Sequence, residues 1–139
     1  REAGRWRQHH RRCARLLEAR RPTGEVGLEA RIAEHWIEAG EPERALEPLL
    51  TGIQETVVHG DHDLRNRLLE RRAELLDELG VPAGDRRRLE QRIEANRVTV
   101  ENGSLSEGQA ELLEIWDAVT VDHARLQARA ASGLQSFSR

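Results

Sequence analysis

Apolar residues recur along this chain at three- and four-residue intervals, and short polar breaks separate the runs. That period predicts helices. The pattern is cleanest over residues 28–53, LEARIAEHWIEAGEPERALEPLLTGI. Ile32, Ala33, Trp36 and Ile37 share one face of a helix ending at Gly40, and a second helix from Pro42 carries Ala45, Leu46, Leu49, Leu50 and Ile53. Gly suits a left-handed helix exit and Pro the first helical position. Pro48 inside the second helix would remove a backbone bond and clash with the preceding turn, at a cost of about 3 kcal/mol. Because the apolar pattern runs across it to Val57, one kinked helix is expected there rather than two.

The same reading extends in both directions. A first helix is expected from about Glu2 to Arg20, with Trp6, His9 or His10, Cys13, Leu16 and Leu17 on its apolar side. Pro22 and Gly24 break it. A helix after Gly60-Asp61 carries Leu64, Leu68, Leu75, Leu76 and Leu79, and one from about Asp85 to Glu101 carries Leu89, Ile93 and Val100. Ser104 and Glu107 form an S-x-x-E capping box ahead of Leu112, Leu113, Trp116 and Val119. A last helix would carry Leu126, Ala130, Leu134 and Phe137. No segment alternates apolar and polar residues over strand length, so the fold class is all-α with about seven helices.

Composition adds context. Charged residues make up 34% of the chain, there is no Tyr and one Phe, and every one of the 22 basic side chains is Arg. A GC-rich genome accounts for that bias. The chain has no Met, so a fragment of a longer multidomain protein is expected. No run of about eighteen apolar residues is present to span a membrane. Cys13 is the single cysteine, which excludes an intrachain disulfide, fits a reducing compartment and makes the cytoplasm the expected location.

Candidate chemistry is sparse. With no Lys, the chain has no phosphate-binding G-x-x-x-x-G-K-[ST] loop, and it lacks a nucleophile elbow and a Cys pair. His59, Asp61, His62 and Asp63 would suit a transition metal by ligand type. The alternative is an ordinary turn, with Asp61 capping the next helix and Asp63 favoured near its positive end. Cys13 is expected to be a small core residue, and His9-His10 to divide between packing and solvent. Catalytic, cofactor and metal sites are therefore expected to be none. Charge is uneven: residues 1–21 hold eight Arg against Glu2 and Glu18, a net of +6, and the remainder is net −9. A basic helix attracts nucleic acid or an acidic surface, but this one lacks Lys, interleaved aromatics beyond Trp6 and any reading motif, which disfavours nucleic acid. Docking against the acidic remainder is the alternative.

Ile32, Ala33, Trp36, Gly40 and Ala45, followed by Leu49, Gly52 and Ile53, stand in the order of a tetratricopeptide repeat, and residues 28–59 resemble that family. The resemblance implies an antiparallel helical solenoid, read here as one domain over 1–139, in which Trp36 packs inside the repeat. A weaker match places Asn96 and Gly108 in the two small-residue positions, with Gly103 at the turn. The register between residues 42 and 103 stays open. HHRRCARLLEARRP and RIAEHWIEAGEPERALEPLL, within residues 6–60, are similar to the helical region downstream of the nucleotide-binding module in large bacterial signalling ATPases and serine/threonine kinases. That resemblance implies a protein-interaction or regulatory scaffold module. The alternatives are a non-catalytic part supporting a kinase or ATPase, and a structural spacer or oligomerisation element. If the second and fourth helices line a groove, Glu34, Glu38, Glu70, Glu74 and Asp77 project from it toward a basic peptide or another domain of the parent. The first helix itself is the nearest basic segment.

Overall fold

Helical periodicity is realised throughout the computed structural model, which describes residues 2–118, with side chains as far as Trp116. Six α-helices appear among them and no strand: α1 (Glu2–Glu18), α2 (Leu28–Glu38), α3 (Leu46–His59), α4 (His62–Glu78), α5 (Arg86–Glu101) and α6 (Leu105–Ala118). The expected seventh helix, with Leu126, Ala130, Leu134 and Phe137, lies outside the described residues, as does Val119. No helix among the described residues is long and apolar enough to cross a membrane.

Glycine ends the helices where the sequence places the breaks. Gly40 has φ +78°, the Glu41 amide reaches back to the Trp36 carbonyl at 3.0 Å, and the Gly40 amide reaches Ile37 at 3.0 Å. These two bonds satisfy carbonyls that the helix leaves without partners, and a left-handed residue is needed to form them. Asp61 caps α4 by accepting from the Leu64 amide at 3.1 Å, and Asp85 caps α5 by accepting from the Arg87 amide at 2.8 Å. The Arg87 guanidinium also bonds the Asp85 carboxylate and holds its pKa below the ordinary value.

The kink expected at Pro48 gives way to a different arrangement. Pro42–Ala45 form a 3-10 turn, and α3 starts at Leu46. Pro48 therefore stands in the first turn of α3, where amides have no intrahelical acceptor and the missing N–H costs little.

Contacts divide the chain into a first unit ending at Leu79 and a second beginning at Gly80. In the first, consecutive helices run antiparallel: Trp6 meets Glu38 and His10 meets His35 across α1 and α2, while Arg72 on α4 meets Leu46 at the start of α3. Ile32, Ala33, Trp36, Ala45 and Leu49 are all buried, and so are Leu46 and Ile53. Trp36 is 1% exposed. Its indole N–H donates to Glu18 at 3.3 Å, and the Arg44 guanidinium lies 4.7 Å from the ring centroid. The contact stripe of α1 differs from the expected one. Ala14 and Leu17 are buried, whereas Trp6 and Leu16 are exposed and Cys13 is half-buried. A small Ala on the contact face lets the helices approach, and this shifts the stripe by one position. On α4, Leu79 is exposed at the helix end, while Arg65 and Arg72 are buried among the leucines.

In the second unit, Leu89 and Ile93 of α5 pack with Leu112 and Ile115 of α6. Leu113 and Trp116, expected inside, are exposed. Asn96 and Gly108 meet, the Asn96 side-chain amide donating to the Gly108 carbonyl at 2.7 Å. Arg92 reaches Glu111 and Glu114 across the same pair of helices.

Removing the indole leaves a cavity where α1, α2 and the Pro42 turn meet. Trp36→Ala is expected to destabilise the chain by about 3–5 kcal/mol, read as a fall in the urea midpoint; an unchanged midpoint would contradict this packing.

Candidate functional site

The carboxylates proposed from sequence divide between two sides of α2. Glu34 faces Arg71 of α4 at 3.7 Å, and Arg71 also reaches Glu74 at 3.5 Å. One guanidinium thus bridges two of the five acids. Glu70, Glu74 and Asp77 are exposed along α4. Glu38 turns the other way and accepts the Trp6 indole N–H at 3.1 Å, next to an open cleft lined by Ala3, Arg7 and Ile37. The structure therefore links Glu34 and Glu74 through Arg71, places Glu38 with α1, and leaves Glu70 and Asp77 exposed along α4.

The basic first helix docks on acidic partners. Arg11 pairs with Glu41 at 2.7 Å. Past the end of α1, Arg20 pairs with Glu25 at 2.7 Å, and Arg21 grips Glu29 with two bonds of 2.8 and 3.1 Å. Glu29 is buried, and its carboxylate raises the Arg21 pKa. Of these pairs, the Arg21–Glu29 fork has the geometry that makes an ion pair count, two parallel bonds to a desolvated carboxylate. The other two are solvent-screened and contribute little to stability.

Histidines cluster between α1 and α2. His10 Nδ1 lies 2.8 Å from His35 Nδ1, the rings are 5.0 Å apart, and the Trp6 ring is edge-on to His10 at 4.4 Å. His9 is exposed and approaches Cys13 Sγ at 3.6 Å through Nε2. Two facing Nδ1 atoms at hydrogen-bond distance hold one proton between them, since two N–H groups cannot both point into the gap. Burial lowers the His35 pKa first, then the positive charge of His10, Arg31 and His9, with Glu34 opposing. At the other candidate cluster, Gly60 makes the left-handed turn at φ +72° and Asp61 is the helix cap, as the turn reading requires. Among the described residues, no three His, Cys, Asp or Glu side chains are placed to hold a metal ion.

A concavity that sequence reasoning did not single out lies where α2, α3 and α4 meet. It measures about 50 Å³ and is walled by Val26, Ala30, Leu64 and Leu68, with Glu55 and His59 at its rim. The available signal was Gly52, mid-helix in α3, where Gly is about 1 kcal/mol worse than Ala and implies a close approach. Comparison of the chain with protein-family models, curated proteins and solved structures gives no match.

The histidine pair generates a pH dependence. An unfolded chain protonates His35 near its ordinary value of 6.5, and the folded chain does so only at lower pH. Between those two values the unfolded state binds more protons, so stability falls as pH drops from 6.5 through the folded pKa and levels off below it. Urea midpoints measured from pH 8 to pH 5 should show this decline, and His35→Asn should flatten that part of the profile. An identical slope in the variant would assign the pH dependence to other groups.

Proposed function

We propose that this chain is a protein-interaction module, a tetratricopeptide-like scaffold segment of a larger bacterial signalling protein, that holds a basic peptide or a basic surface of its parent. The observation that carries this reading is the α2–α3 hairpin. Its sequence order resembles the repeat, and the exposed positions of α2 and α4 carry carboxylates, while the exposed end of α3 carries Val57 and Val58. Ile32, Ala33, Trp36, Ala45 and Leu49 face inward and are buried, which leaves Glu34, Glu70, Glu74 and Asp77 outside. Arg71 answers Glu34 and Glu74 together, so this face remains net negative across α2 and α4. Exposed carboxylates in such an array steer a cationic partner, and the attraction decays over the Debye length. The arginines of α1 are a poor occupant, because Arg11 is already paired and α1 is packed on the other side of α2.

The test is a titration of the purified chain with an Arg-rich and a Glu-rich peptide, each at about 30 mM and 300 mM salt. The Arg-rich peptide should bind at low salt and weaken severalfold at high salt, and Glu70→Gln with Glu74→Gln should weaken it further. Equal binding of both peptides, or of neither, would remove this reading.

A further inference from the structure

Charge of opposite sign is sorted onto two helices of the first unit. α1 exposes Arg5, Arg7, Arg11, Arg12 and Arg15, and Glu2 is its one exposed acid. α4 exposes Asp63, Glu70, Glu74, Asp77 and Glu78, and Arg67 is its one exposed arginine.

Some of these charges are already used and others are not. Arg11 pairs with Glu41 at 2.7 Å, Arg15 lies 5.7 Å from the Trp36 ring centroid, and Arg7 lies across the Gly40 turn. Arg5 and Arg12 make no hydrogen bond or ion pair among the described residues. On α4, Arg71 reaches Glu74, whereas Glu70 has no such partner among the described residues. The free arginines of α1 and the free carboxylate of α4 therefore do not meet within one molecule.

Their spacing is complementary. Arg5 and Arg12 are seven residues apart, two helical turns, so they share one face about 10.5 Å apart along the axis. Asp63, Glu70 and Asp77 repeat at the same seven-residue interval on the outward side of α4. Two helices laid side by side with opposite charges at one spacing pair at two points together, and neither side chain has to stretch. A contact at two points fixes register as well as sign.

We propose that a second copy of this chain is a partner, the Arg5–Arg12 face of α1 in one copy lying along the Glu70–Asp77 face of α4 in another. This rests on the cation-binding reading of the α4 carboxylates given above and names the basic segment they take. Exposed ion pairs each contribute little. The contact is accordingly weak, forms in concentrated protein, and loosens severalfold between about 30 and 300 mM salt.

Sedimentation of the intact chain over a range of concentrations at both salt levels tests it, with two charge-reversed variants. Arg5→Glu with Arg12→Glu removes the basic face, and Glu70→Arg with Asp77→Arg removes the acidic one. The natural chain should associate at low salt, and each variant alone should sediment as a monomer. An equal mixture of the two variants should recover a one-to-one complex, because one supplies an intact α4 and the other an intact α1. Both variants are checked for helix by circular dichroism; if Asp77→Arg does not fold, Glu70→Arg alone replaces the pair. A natural chain that stays monomeric at low salt overturns the proposal, as do variants that associate like it, or a mixture that fails to recover the complex. Duplex DNA that shifts the Arg5 and Arg12 amides while the chain remains monomeric would make α1 a nucleic-acid surface instead. If the chain is monomeric but an Arg-rich peptide still shifts Glu70 and Glu74, the peptide-binding reading survives without the second copy. If neither is seen, both fall.

Discussion

Burial of one indole organises the first unit. Trp36 carries the largest side chain in its core, and three segments enclose it: α2 supplies the ring, α1 the acceptor Glu18, and the Pro42 turn the cation Arg44. A buried Trp needs a partner for its N–H, and its face attracts a guanidinium. Both needs are met by charged residues whose other ends reach solvent. The alanines Ala14, Ala33 and Ala45 are completely buried on the same three segments, leaving room for the large ring. Through Glu18 the hairpin is tied to α1.

Packing around α3 meets two opposite demands. At Gly52 the absence of a side chain lets Leu68 and the start of α2 come close. At Leu46 the fold does the reverse and buries a whole guanidinium, with Arg72 Nε donating to the Leu46 carbonyl at 3.1 Å. Burying a charge is costly unless it is well bonded, and a Leu or Met there could give equal or greater stability. The first feature lets α2 and α4 approach α3 closely. The second holds α4 against the start of α3.

Most of the architecture was legible because helix breaks are local chemistry. Gly40, Gly60, Gly80 and Gly103 all have positive φ, and Asp61 and Asp85 cap the helices that follow. The apolar residues from Ile32 to Leu49 went inside because their spacing leaves no other face to bury. What was missed required knowing the neighbours. Between Leu68 and Leu75 the apolar stripe of α4 has a gap that only residue 72 can fill, yet an Arg there reads as solvent until a carbonyl is seen opposite it. Hydrophobicity alone points Leu113 and Trp116 inside, yet both are exposed, while Ile115 faces Leu89 and Ile93. The acids were harder still. Nothing local to Glu34 or Glu38 says that one meets Arg71 and the other Trp6.

Arg72 has a further consequence. Two helices that meet through rows of leucine can slide by one turn, about 5.4 Å, and find nearly the same set of ridges and grooves waiting. Dispersion forces scarcely distinguish the two settings. A guanidinium aimed at one carbonyl does, because after such a slip it would be stranded in a dry interior facing methyl groups. In this fold, the polar intruder among the leucines works as a vernier: it adds little to how firmly α3 and α4 adhere, and it decides at which notch they stop.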